Sequence, residues 1–131
     1  MRIFVYGTLK PGEVNYQLYC AGKVIHEQIV YTRGFLFDLP LGYPAMTRGN
    51  GWVEGYLLSF NRDSILGTLD RLEDYEEQRS PQENEYYRRL IAVYDSSRKP
   101  LGEAWAYLMI TGKVEQLGGV MLPSGRWNNS H

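Results

Sequence analysis

Short apolar runs separated by polar, glycine-bearing breaks set the pattern of this chain. Ile3, Phe4 and Val5 predict a strand over residues 2–6, which runs into Tyr6-Gly7-Thr8-Leu9 before Lys10-Pro11-Gly12 turns the chain. A helical turn is predicted over 15–21. A β-branched and aromatic stretch over 23–37, interrupted at Gly34, predicts strand, as does 52–60. Residues 85–95 and 103–110 predict two strands joined across a Ser-, Pro- and Gly-bearing turn. Between 52–60 and 85–95, residues 62–75 have helical spacing with Asp63 as the candidate N-cap. Strands in series around one main helix and a short second one predict an α+β domain with a curved or closed mixed sheet. The expected organisation is a single domain over 1–131, with 112–131 as an irregular tail.

The helix carries one acid where an apolar residue is expected. With Ile65 at zero and a step of about 100° per residue, Leu72, Leu69 and Leu66 fall near 340°, 40° and 100°. Glu73 falls near 80°, inside that arc, while Asp70 sits at its edge near 140° and Asp74 points outward near 180°. A carboxylate on a buried face is costly unless paired, hydrogen-bonded or protonated, and desolvation raises its pKa toward the range of a general base. The alternative is an acid that reaches past the apolar face to water, or pairs with Arg88 or Arg89. Glu76 also projects inward, near 20°, if the helix continues, so periodicity leaves both readings open.

Composition narrows the class. The 131 residues carry 14 basic and 15 acidic side chains, net −1, so no global charge steers the chain to nucleic acid or to an anionic membrane. No apolar run approaches the roughly 18 residues of a membrane span. A single cysteine, Cys20, excludes an internal disulfide and suits a reducing, cytoplasmic compartment. With two histidines beside it, a structural zinc site is not expected. Eleven tyrosines point to β structure with amphipathic pocket rings rather than to a base-stacking platform, since no basic stripe accompanies them.

Three further features carry candidate chemistry. A glycine directly after a strand, as in Tyr6-Gly7-Thr8-Leu9, lets successive N–H groups converge on an anion such as a carboxylate; the same pattern also serves as a plain corner. Cys20 and His26 offer a nucleophile and a base, although "LYCAG" suits a small core residue. Arg88 and Arg89 alternate on a strand, so one of them faces inward, either to pair with the helix acids or to meet a substrate carboxylate. Tyr86 shares the face of Arg88.

"VYGTLKPG", "GYPAM", "VEGYLL", "LDRLEDY", "YYRRLIAV" and "AWAYL" occur in that order. Together they resemble the gamma-glutamylcyclotransferase-like superfamily, and within it the gamma-glutamylamine cyclotransferase branch, from residue 2 to about 110. The resemblance implies a compact α+β fold built on a small mixed β-barrel. It implies that Tyr6, Gly7, Thr8 and Leu9 bind the glutamyl moiety and that Glu73 is the acid–base residue. Tyr107 of "AWAY" matches a tyrosine that lines the pocket. The implied substrate is a small gamma-glutamyl amide, and the implied reaction closes 5-oxoproline without a cofactor or metal. Thr8 stands where other branches carry serine, and the polar segment 76–85 is placed to reshape the pocket mouth. Two other classes are compatible with the residues: a non-catalytic module that binds a gamma-glutamyl or amino-acid-like molecule, and a scaffold using the acidic 73–85 surface.

Overall fold

The computed structural model describes residues 1–80 and 83–128. Six strands and three helices follow one another: β1 (Arg2–Val5), α1 (Val14–Tyr19), β2 (Val24–Asp38), β3 (Pro44–Phe60), α2 (Ile65–Leu72), β4 (Tyr87–Tyr94), β5 (Pro100–Leu108), α3 (Thr111–Gln116) and β6 (Val120–Met121). The strand order is β3-β1-β5-β4-β2-β6, and β2 pairs with β3 as well, so five strands close into a ring with β6 on its margin. This is the mixed, barrel-like α+β architecture expected of the chain.

β1 explains why the first apolar run is continuous. It lies between β3, to which it is antiparallel from Arg2↔Ser59 to Val5↔Tyr56, and β5, to which it is parallel at Ile3↔Trp105. With both faces covered, every position after Arg2 is buried. Ile3 and Val5 join one core with Leu69 of α2 and Val114 of α3, while Phe4 and Tyr6 join a second with Val30, Val53, Leu57 and Trp127. The two-residue period of the strand therefore divides its side chains between two apolar layers.

The long β2–β3 hairpin bends where glycines permit it. Register slips between Arg33 and Phe35, and a Cβ on Gly34 would lie 2.7 Å from the Thr47 carbonyl oxygen. The break expected at Gly34 is thus a bend within one strand. The β4–β5 connection is the expected turn: Asp95 accepts the N–H groups of Ser97 and Lys99 through Oδ1.

Two expectations are corrected. Asp63 does not cap the helix with its side chain; only its carbonyl accepts, from the Leu66 N–H, and Ser64 occupies the N-cap. The C-terminal segment is not irregular throughout, because it forms α3 and β6 and buries Trp127, whose Nε1–H donates to Asp38 Oδ1 at 3.0 Å. Residues 81–82 of the 76–85 segment and 129–131 of the tail lie outside the described residues.

Candidate active site

α2 ends by local chemistry that matters for its last acid. Asp74 adopts a positive φ of 53°, and the Tyr75 N–H reaches back to the Asp70 carbonyl at 2.9 Å, the long bond of a Schellman-type stop. Glu73 is consequently the C-cap residue, not the interior residue that 62–75 implied. Its near-helical backbone keeps the side chain on the apolar face, and Glu73 lines a cavity of about 230 Å³. Burial pushes its carboxyl up to about 8, helped by the negative charge of Glu85. The C-terminal pole of α2 acts in the same direction. Among the described residues no cation lies within ion-pair distance of it.

The other wall of the cavity is the bend after β1. Tyr6, Gly7, Thr8 and Leu9 all line it, with Tyr107 of β5. Gly7 is required by close approach: a Cβ there would lie 2.6 and 2.9 Å from Pro44 Cγ and Cδ. Asn15 of α1 donates to Thr8 Oγ1 at 2.9 Å, and the Thr8 carbonyl accepts the Asn15 and Tyr16 N–H groups. The Thr8 hydroxyl proton is left to donate elsewhere. Among the described residues the Thr8 and Leu9 N–H groups meet no acceptor, so this wall is rich in donors.

The tyrosines give the remainder the opposite polarity. Tyr6 donates to the Tyr107 carbonyl at 2.7 Å, Tyr86 to the Pro44 carbonyl at 2.7 Å, Tyr43 to Glu85 Oε1 at 2.5 Å and Tyr107 to Asp70 Oδ1 at 2.6 Å. Burial raises the pKa of all four phenols, so they stay neutral. Each has committed its one proton to the protein and offers only oxygen lone pairs to a ligand. Oxygen acceptors and two carboxylates therefore face a loop of donors.

The six residues singled out in the sequence thus meet at one cavity. Tyr43, Pro44 and Asn15 line it too and were assigned no role from sequence, and Glu85, which also lines it, entered only as the end of the polar 76–85 segment; Tyr43 and Pro44 stood in plain view within "GYPAM". Arg88 pairs with a helix acid, its Nε lying 3.5 Å from Asp70 Oδ1, while Arg89 is exposed. Neither Cys20 nor His26 lines the cavity. Cys20 is fully buried, its thiol pushed up to about 11 by desolvation, and His26 is exposed on β2. Among the described residues no group of three or more His, Cys, Asp or Glu is arranged to hold a metal, and no helix is long and apolar enough to cross a membrane.

The chain is similar to known proteins along nearly its whole length. Residues 3–129 match the family model described as gamma-glutamyl cyclotransferase, AIG2-like. A protein of Halalkalibacterium halodurans, provisionally named a gamma-glutamylcyclotransferase, is 33% identical over 108 residues, covering 81% of this chain and 88% of its own. A protein of Vibrio cholerae with the same provisional name is 33% identical over 128 residues, covering 95% and 93%. The crystal structure of an AIG2-like protein from Mus musculus superposes with a TM-score of 0.66 at 22% identity, covering 98% of this chain and 95% of that one. By sequence match along nearly its whole length, with a fold to correspond, the chain belongs to the gamma-glutamyl cyclotransferase, AIG2-like family.

Proposed function

We propose that this protein is a gamma-glutamyl cyclotransferase, converting a gamma-glutamyl amide to 5-oxoproline and the free amine. The observation that carries the reading is Glu73, a desolvated carboxyl with no cationic partner among the described residues, on the cavity lined by the donor loop Tyr6–Leu9.

The glutamyl α-carboxylate is held by the Thr8 and Leu9 N–H groups and the Thr8 hydroxyl. Glu73 takes a proton from the α-ammonium. The freed amine attacks the γ-carbonyl carbon, forming the ring C–N bond, and a loop N–H faces the developing oxyanion. Glu73 returns the proton to the leaving nitrogen as the amide C–N bond breaks. It then takes the second proton from the ring nitrogen, which becomes the neutral lactam N–H, and passes it to the released amine, which departs as its ammonium form. Atoms and charge balance with proton transfers alone. Ring closure benefits from proximity, where effective molarities reach on the order of 10⁵ M or more, and a positioned carboxylate adds about 10²–10⁴ in rate.

The test is 5-oxoproline release from a panel of gamma-glutamyl amides by the parent protein and by Glu73→Gln. Turnover by the parent alone is expected. Tight binding of the amides without turnover would instead favour a binding module, and neither binding nor turnover would favour a scaffold.

A further inference from the structure

Glu85 is the second carboxylate on the cavity, and the mechanism above does not use it. Its position is built rather than incidental. Asn84, buried beside it, accepts the Glu76 N–H through Oδ1 at 2.9 Å and donates Nδ2–H to the Glu76 carbonyl at 3.2 Å, clasping residues 76 and 84 together. Lys113 of α3 donates to the Asn84 carbonyl, and the Glu85 N–H donates to the Asp74 carbonyl at 3.4 Å. Tyr43 then fixes one carboxylate oxygen, and the other takes no hydrogen bond among the described residues.

The surrounding cations are committed elsewhere. Arg79 pairs with Asp74 and Glu76, Arg88 pairs with Asp70, and Lys113 holds Asn84. No cationic side chain lines the cavity among the described residues. Bound substrate brings one α-carboxylate, met by the donor loop, and one α-ammonium, met by Glu73. A second carboxylate, oriented but without a counter-charge, then remains among tyrosine oxygens that offer only lone pairs. Such a group favours a positive charge and disfavours a negative one.

Resting on the cyclotransferase reading, we propose that Glu85, oriented by Tyr43, recognises an ammonium group on the leaving amine, so that the preferred substrates are gamma-glutamyl amides of diamines or larger polyamines rather than of neutral amines or amino acids with a nearby carboxylate. Glu85 is a specificity-determining residue and takes no part in the proton transfers.

Two matched amides test this: the mono-gamma-glutamyl amide of 1,4-diaminobutane, and gamma-glutamyl n-pentylamide, which replaces the distal ammonium with methyl. The readout is the ratio of their kcat/KM values within each variant, which does not depend on the fraction of protein that is folded. The parent is expected to favour the diamine amide by about tenfold or more, as for a charge-assisted contact in a sheltered site. Glu85→Gln brings the ratio close to one, Glu85→Asp retains part of the preference, and Tyr43→Phe lowers it. A parent ratio near one overturns the proposal, as does a preference that survives in Glu85→Gln. Equal losses on both amides also overturn it, since they place Glu85 against the α-ammonium common to both. If neither amide is turned over, it is the cyclotransferase reading that fails. Calorimetric binding of the same two amides to the parent and to Glu85→Gln then decides the role of Glu85 alone, with selective binding supporting it and equal binding overturning it.

Discussion

The Tyr107 hydroxyl donates to Asp70 Oδ1 at 2.6 Å, and the same oxygen lies 3.5 Å from Arg88 Nε. Arg88 also stacks against Trp105, its Cζ 4.8 Å from the ring centroid, so the carboxylate is held on a fixed cation. The phenol proton points away from any ligand, and the Tyr107 oxygen can only accept. That arrangement suits an ammonium approaching Glu73 and is lost if Tyr107 can turn its proton toward the cavity. Asp70→Asn and Tyr107→Phe are each expected to lower kcat by roughly tenfold. The double variant is expected to cost little more than either alone, with a coupling of about 1–2 kcal/mol. A double-mutant cycle in kcat measures that coupling; purely additive losses would show that the two residues act separately.

Glu73→Gln separates activity from stability. The rate of 5-oxoproline release is expected to fall by about 10²–10⁴. Stability should move the other way. The folded carboxyl titrates near 8 instead of near its ordinary 4.5, so the folded state holds the proton more tightly than the unfolded state. Below pH 4.5 both states are protonated and the glutamine gains nothing. As pH rises toward 8 the parent loses stability that the variant keeps, and above 8 the difference levels off. At about 1.4 kcal/mol per pH unit, and allowing for water in the open cavity, the plateau is on the order of 2–4 kcal/mol. Urea unfolding at pH 4.5, 6.5 and 8.5 measures it; equal stabilities at all three would place the Glu73 carboxyl in ordinary solvent.

On the proposed mechanism, the pH dependence of catalysis follows from the same carboxyl. Only ionised Glu73 accepts a proton, so kcat/KM is expected to rise with pH along an acidic limb centred near 8. In the complex the substrate ammonium beside it favours the carboxylate, and the limb in kcat should lie at lower pH. Glu85→Gln removes a neighbouring negative charge and should lower the limb in kcat/KM. Initial rates from pH 5 to 10 on one amide test all three statements, and a limb near pH 4–5 for the parent would contradict the first.

Much of this site is written in local sequence, and the remainder depends on contacts between distant segments. The inward projection of Glu73 is legible because a 3.6-residue period survives through a C-cap with near-helical backbone, although the period alone does not separate it from Glu76. The end of the helix is not, because Asp74 takes a conformation that sequence usually marks with Gly or Asn. Residues 39–51 carry enough glycine and proline to suggest loop, yet Pro44 starts β3 and is the surface against which Gly7 packs. α3 has Gly112 as its second residue and closes before the glycines at 118 and 119, so breakers within and after it hide a six-residue helix. Glu85 ends the polar segment that the sequence sets at the pocket mouth without singling out any one residue, and the Asn84 clasp, the Asp74 carbonyl and Tyr43, 42 residues earlier, bring it to the cavity. Asp70 and Tyr107 lie 37 residues apart, and no one-dimensional period joins them.

Gly7 links the fold to the site most directly. Its missing Cβ lets the bend after β1 lie against the Pro44 ring, which sets the Thr8 and Leu9 segment on the cavity wall. In Gly7→Ala the new methyl meets ring carbons at 2.6 and 2.9 Å, and Pro44 is held by its place at the start of β3 and by the Tyr86 hydroxyl on its carbonyl. The loop must therefore move. The expected cost is about 1–3 kcal/mol in stability, as for other overpacked sites. Catalysis is expected to fall by on the order of 10²-fold, because the displaced donors no longer meet the substrate carboxylate. Adding Pro44→Ala removes the ring while keeping the carbonyl that Tyr86 uses, so it should recover part of both losses. Thermal unfolding and kcat/KM of the two single variants and the double variant provide the measurement. If Pro44→Ala deepens the defect of Gly7→Ala instead of relieving it, the contact between glycine and proline ring is not what positions the loop.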